Sequence, residues 1–226
     1  MRNTAENSRP QRTVRSFVRR AGRMTVAQKR ALQTLLPAYG IEYWPAQLDL
    51  DEIFGRKAQR IMEIGFGNGE LLVSMAADSP DKDFIGIEVH EPGVGHCLLA
   101  IQEQKLTNVR IMCHDAIEVL KHQIPDRSLE AVHLFFPDPW PKKRHHKRRI
   151  IQTDFVELLR QKLDIGGLLH TATDWDEYAE HMEATIGANK GFQPVRAAAG
   201  GRPQTKFEQR GKRLGHEITE CLFQRL

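Results

Sequence analysis

The chain has 226 residues, 40% apolar and 27% charged, enough for one domain with a sizeable core. No apolar run approaches the roughly 18 residues of a membrane span, and the N-terminus has no apolar signal core, so a cytoplasmic protein without a membrane partner is expected. Cys97, Cys113 and Cys221 stand far apart with no CxxC pair, which argues against a zinc ribbon or a disulfide framework, and no metal is expected.

The net charge of +4 hides a strong segregation. Residues 1–30 hold nine Lys/Arg and one acid, residues 142–149 six Lys/Arg and no acid, and residues 196–226 seven Lys/Arg and three acids. The remainder holds 11 bases and 25 acids. Blocks of like charge repel themselves unless a polyanion neutralises them. Three basic segments on an acidic body therefore point to a nucleic acid partner. Three merely solvated surface segments are the plainer alternative.

In chain order, residues 1–24 are polar and Arg-rich and predict a flexible basic arm, followed by a single domain over 25–226. The arm shares its composition with mitochondrial transit peptides, but nothing in it resembles a cleavage boundary. A short helix is expected from Thr25, with Val26, Leu32, Leu35 and Leu36 as its apolar face and Pro37 as its stop. Residues 37–50 read as a loop. Strands follow over 60–65, 83–89, 109–112, 129–136 and 167–172, with helices over 70–77, 92–105, 117–122, 150–163 and 176–187. Near 192–197 and 216–226 the pattern alternates well enough for two closing strands. Strands alternating with helices of this length mean βαβ units, hence an α/β fold with a largely parallel sheet. Ligands of such sheets bind at the carboxyl ends of the strands.

Those ends are informative. The first strand runs into Glu63-Ile-Gly65-Phe-Gly67-Asn-Gly69, whose glycines allow tight turning and close approach to a ligand. Their spacing departs from the G-x-G-x-x-G that cradles a pyrophosphate. Glu88 ends the second strand, where doubly wound folds place an acid against a ribose hydroxyl pair. Asp115 ends the third, and a helix N-cap is its plainer role. The fourth delivers Asp138 into a proline-rich turn, Pro137-Asp-Pro-Trp-Pro141, followed directly by the basic run Lys142–Arg149.

The segments EIGFGNGE, IEVH and HDA resemble the class I S-adenosylmethionine-dependent methyltransferases. This resemblance implies a Rossmann-like sheet, mostly parallel with an antiparallel C-terminal strand and helices on both faces. It implies S-adenosyl-L-methionine as cofactor, held by Glu63, Gly65, Gly67, Glu88, Asp115 and Asp138. NAD is the runner-up ligand.

The stretches FFPDPWPKKRHHKRR, ATDW and RPQTKFEQRGKRLGH closely resemble the bacterial tRNA (guanine-N7)-methyltransferases, over a span from about Ser16 to the C-terminus; only 187–201 does not align. That resemblance implies methylation of guanosine 46 in the tRNA variable loop, with tRNA as partner. It places Lys142, Asp174, Thr205, Lys206, Phe207 and Glu208 at the substrate. Arg144, His145, His146, Lys147, Arg148 and Arg149 are the candidate RNA contacts, facing outward. Phosphate contacts of this kind give salt-dependent affinity and little sequence information. Some of these side chains can instead cover the start of the following helix. Trp140 and Trp175 are read as packing residues.

The chemistry asks little of the protein. Guanine N7 carries a free lone pair, so no general base is required. Aligning N7, methyl carbon and sulfur can lower a barrier by about 7–11 kcal/mol in the best cases. Asp138 is the candidate catalytic carboxylate, accepting from the guanine N1–H and N2–H₂ edge and offsetting the charge that grows on the ring. Phe207 is a candidate to stack on a flipped base, and Glu208 is a second candidate for its edge. A non-catalytic RNA-binding module explains the basic segments equally well, but not the acids at successive strand ends. An NAD-dependent oxidoreductase is the third reading. The sequence leaves the oligomeric state open, with a monomer as the default.

Overall fold

A computed structural model describes residues 16–17, 22–196 and 217–226. Seven strands form one sheet: β1 (Arg60–Ile64), β2 (Asp83–Ile87), β3 (Val109–Met112), β4 (Leu129–Phe135), β5 (Leu163–Thr173), β6 (Phe192–Pro194) and β7 (Thr219–Arg225). Their order is β3-β2-β1-β4-β5-β7-β6. Neighbouring strands from β3 through β5 pair in parallel, and β7 runs antiparallel to both β5 and β6. The expected mixed sheet is therefore present.

The helices are α1 (Val26–Thr34), α2 (Leu36–Tyr39), α3 (Leu50–Phe54), α4 (Glu70–Asp78), α5 (Glu91–Glu103), α6 (Ala116–His122), α7 (Thr153–Lys162) and α8 (Asp176–Gly187). They cover both faces, and the strands alternate between two cores. Phe84 and Ile111 pack with Leu72, Leu98 and Ala31 under α4, α5 and α1. Ile85, Met112 and Val132 pack with Leu120, Leu159 and Met182 under α6, α7 and α8. All five residues of β2 are buried. A parallel strand covered on both sides reads as a continuous apolar run for this reason.

Several boundaries differ from expectation. Thr25 caps α1 through a reciprocal pair with Gln28, at 3.2 and 2.8 Å. Val26, however, is 84% exposed, and the buried contacts come from Ala31 and Leu35. Pro37 does not stop the helical segment but sits in the first turn of α2, where its missing N–H leaves no intrahelical bond broken. The expected loop over 37–50 contains α2 from Pro37 onward and the first residue of α3, whose cap is Asp49 accepting from the Glu52 N–H at 3.0 Å. Helix α7 starts at Thr153, because Gln152 is extended (φ −131°, ψ 161°).

Strand β5 begins at Leu163, four residues before the expected start. Between the pairs Leu129↔Leu163 and Ala131↔Leu168, β4 advances two residues and β5 five. The excess is a bulge around Gly166, whose φ of +80° suits glycine. The Asp-Ile-Gly-Gly sequence obscures the earlier start, because a bulge and a turn ask for the same residues.

Candidate active site

The strand order reverses direction between β1 and β4, so their carboxyl ends splay apart. Doubly wound sheets bind ligands at such switch points. A cavity of about 410 Å³ opens there, within the roughly 300–1,000 Å³ range of small-molecule sites. Its wall takes Gly65 from β1, Glu88 and His90 after β2, His114 and Asp115 after β3, and Phe136 and Asp138 after β4. Ser16, Phe17 and Ile150 complete one side.

Local bonding fixes these groups. Glu88 Oε1 accepts from the N–H groups of Val89 (2.6 Å) and His90 (2.9 Å), and Oε2 accepts from Gly67 N–H (2.9 Å). A carboxylate has about four acceptor positions, so at least one remains for a ligand hydroxyl. Asp115 caps α6, its Oδ1 accepting from Ile117 N–H at 2.9 Å. The capping role is real and leaves the second oxygen for a ligand. His114 stacks on Tyr43 with ring centroids 3.8 Å apart and planes within 10°. Its Nε2 lies 2.6 Å from Glu118.

The glycine loop is tightly held. Gly65, Gly67 and Gly69 all have φ between +59° and +79°. A Cβ at Gly69 would clash with the Cys97 thiol, and one at Gly93 with the Gly67 carbonyl oxygen. Gly93 in the first turn of α5 therefore lets that helix press against the loop. Glu63 is 4% exposed and lies within β1, and neither it nor Gly67 lines the cavity.

The β4 turn carries the second half of the site. Asp138 is exposed and lines the cavity. Phe136 and Trp140 flank the turn at φ 50° and 47°. Bulky side chains in this region cost on the order of 1–3 kcal/mol each, so surrounding contacts must hold the turn. Trp140 Nε1 donates to the Ser16 carbonyl (3.2 Å), and the Arg148 guanidinium lies 4.9 Å over its ring. A short 3₁₀ helix, Lys143–Arg148, follows. It leaves Lys143, Arg144 and Lys147 exposed, with Lys142 exposed just before it. The His145 imidazole is held below its ordinary pKa, first by partial desolvation and then by the charges of Arg144, Arg148, Lys142 and Lys147.

Comparison with known proteins decides what this arrangement is. Residues 57–221 match a family described as Putative methyltransferase. A tRNA (guanine-N(7)-)-methyltransferase of Aeromonas hydrophila is 53% identical, covering 98% of this chain and 96% of the relative. The protein of that name from Escherichia coli is 52% identical, covering 98% and 95%. The chain belongs to the tRNA (guanine-N7)-methyltransferase family. The 16S rRNA methyltransferase KamB has the same fold (TM-score 0.54, 13% identity, 78% of this chain and 92% of KamB), as has the aminoglycoside resistance methyltransferase NpmB1 (0.52, 14%, 79% and 92%).

In this member of the tRNA (guanine-N7)-methyltransferase family, the fold brings Gly65, Glu88, Asp115 and Asp138 to one cavity. Lys142, Asp174 and the basic helix do not line it. Thr205, Lys206, Phe207 and Glu208 lie outside the described residues, as does most of the expected arm. Two expectations are corrected. Arg149 does not face outward: it is 3% exposed. Trp175 is not packed in the core: it is 36% exposed and stands at the N-cap of α8. Sequence reasoning missed His90, His114, Gly93 and the Ser16-Phe17 pair. Only tertiary packing carries His90, His114, Ser16 and Phe17 to the cavity and Gly93 against the glycine loop. Among the described residues, no group of three or more His, Cys, Asp or Glu side chains could hold a metal, and no helix is long and apolar enough to cross a membrane.

Proposed function

We propose that the protein transfers the methyl group of S-adenosyl-L-methionine to N7 of guanosine 46 in the tRNA variable loop. The observation that carries this reading is that one turn, Pro137–Pro141, joins the strand-end cavity to the basic 3₁₀ helix. A small-ligand site and a polyanion surface thereby share Asp138.

The cavity fits the cofactor. Among the described residues its wall holds the carboxylates Glu88, Asp115 and Asp138 and no Lys or Arg. Such a wall suits a sulfonium ligand and disfavours a pyrophosphate. The adjoining helix α4 begins with Glu70, which further opposes an anion at its N-terminus. Both features argue against NAD. When bound, S-adenosylmethionine supplies a methyl group activated by the positive sulfur. Glu88 accepts the ribose hydroxyls, braced by three backbone N–H groups, and Asp115 accepts from the adenine amino group. Asp138 accepts from the guanine N1–H and N2–H₂ edge, which aims N7 at the cavity and offsets the positive charge that forms on the ring. Lys142 and Asp174 complete the base site with residues 205–208. Arg144, Lys147 and the basic arm hold phosphates, and tRNA shape selects the base.

The deciding assay offers unmodified tRNA and labelled S-adenosylmethionine, followed by nucleoside analysis. Label in 7-methylguanosine at position 46 is expected. No transfer, or label in another nucleoside, overturns the reading. Removal of residues 1–23 should weaken tRNA binding and flatten its salt dependence.

A further inference from the structure

Arg149 closes the basic run in sequence but leaves it in space. It alone of residues 142–149 is buried. Its Nε donates to the Pro139 carbonyl at 2.9 Å, one residue past Asp138. A terminal nitrogen lies 3.2 Å from His146 Nε2 and 3.4 Å from Glu177 Oε1. The guanidinium carbon sits 4.9 Å from the ring centroid of Tyr178, which is fully buried. One side chain thus reaches the β4 turn, the basic 3₁₀ helix and the first turn of α8. Phe136 and Trp140 bracket that turn in left-handed backbone, so its shape is imposed from outside. Asp174 follows the last residue of β5, and only the N-cap Trp175 separates it from the first turn of α8. A planar cation can stack on an aromatic face while its edge donates in fixed directions; a lysine ammonium cannot.

We propose that Arg149 is a positioning residue, not a phosphate contact: it locks the Asp138 turn and the Asp174–α8 junction into one geometry. The proposal rests on the methyl-transfer reading, in which those two carboxylates face the base. Burial denies the guanidinium a phosphate unless it abandons Pro139, Glu177 and the Tyr178 face together. Its contact with His146 further links the RNA-facing helix to the turn.

The test compares Arg149→Lys, Arg149→Ala and Glu177→Gln with Arg144→Ala in the full chain. tRNA binding is measured across a salt series, and methyl transfer is measured at saturating tRNA and cofactor. Neutralising one phosphate contact lowers the log–log salt slope by about 0.7–0.9, and Arg144→Ala should do so. Arg149→Lys should keep the wild-type slope yet lose kcat on the order of 100-fold, the scale of an ångström-sized misplacement. Guanidinium salt should restore part of the kcat of Arg149→Ala, and an equal concentration of ammonium salt should not. A lowered slope in Arg149→Ala with unchanged kcat makes Arg149 a phosphate contact and overturns the proposal, as does wild-type kcat in Arg149→Lys. If the Arg149 variants do not fold, Glu177→Gln decides at an exposed position: a several-fold loss of kcat at unchanged slope supports the clamp, and unchanged kcat overturns it. An inactive wild-type enzyme defeats the functional reading itself, and this proposal with it. An active wild type with a wild-type-like Arg149→Lys defeats the proposal alone.

Discussion

Glu88 Oε2 accepts the Gly67 N–H at 2.9 Å, joining the end of β2 to the glycine loop after β1 across 21 residues of sequence. The bond makes Glu88 the brace of the loop beside it, in addition to its proposed role as acceptor for the ribose hydroxyls. Glu88→Ala leaves the Gly67, Val89 and His90 N–H groups without their carboxylate. Each unsatisfied buried donor costs about 1–3 kcal/mol, less where water reaches it. The variant should bind S-adenosylmethionine at least about 100-fold more weakly by calorimetry, a loss of roughly 2.7 kcal/mol. Unchanged affinity removes Glu88 from the cofactor site.

Gly93 is predicted to be as sensitive as the glycines of the loop itself. A Cβ there meets the Gly67 backbone oxygen, which cannot yield as a side-chain tip can. Overpacking of this kind costs about 1–3 kcal/mol. Gly93→Ala should lower the melting temperature and raise the KM for S-adenosylmethionine about tenfold. Gly187→Ala is the control: the nearest atom to its built Cβ is 4.0 Å away, on the Phe223 ring. There the helix propensity of alanine should leave stability equal or up to about 1 kcal/mol higher.

Substitution of Asp138 is predicted to separate catalysis from tRNA binding. It lines the cavity, while the exposed cations begin at Lys142. Asp138→Ala should lower kcat by about 10²–10³-fold, the scale of losing one group aimed at developing charge. Its tRNA affinity should stay within about threefold in filter binding. Parallel loss of activity and binding assigns Asp138 a structural role.

His145 predicts a pH dependence of tRNA binding. Desolvation and four neighbouring cations hold its pKa below the ordinary imidazole value. The free protein therefore carries it neutral at pH 7. A bound phosphate favours the protonated form and raises the pKa, so binding takes up a proton. Affinity should rise as pH falls from the bound pKa toward the lower free one. His145→Gln should flatten that rise; an equal rise in the variant assigns the effect to another group.

Glu157 predicts an acid limit on stability. Its carboxyl is lowered to about 2, chiefly by the Arg160 hydrogen bond and, against a desolvation effect, by Asn189. A depressed carboxylate stabilises the fold above its unfolded pKa of about 4.3. That contribution is lost as pH falls from there toward 2. The pair is part-buried but still reaches solvent, so salt should weaken the effect. Thermal melts of Glu157→Gln across pH 2–5 should show a shallower acid loss than wild type; the same slope in both excludes Glu157.

Much of the fold was legible because period and punctuation are local properties. The buried run of β2, the Thr25 cap and the span of α8 each depend on residues a few positions apart. The early start of β5 and the place of Pro37 were not legible, since turn, bulge and helix start draw on the same residue types.

The sequence by itself determined the strand-end acids, the glycine loop, the basic run and the family, because these are linear patterns in which spacing carries the signal. Only the tertiary structure decided which of them share a cavity and which do not. Glu63 stays inside the sheet, whereas His114 and Phe17 reach the cavity wall. The same holds within the run 142–149, where six Lys/Arg are equivalent in composition. Arg149 alone is buried, because β4 and α8 bring the Pro139 carbonyl, the Tyr178 ring and Glu177 together as two acceptors and an aromatic face in the fixed geometry of a guanidinium.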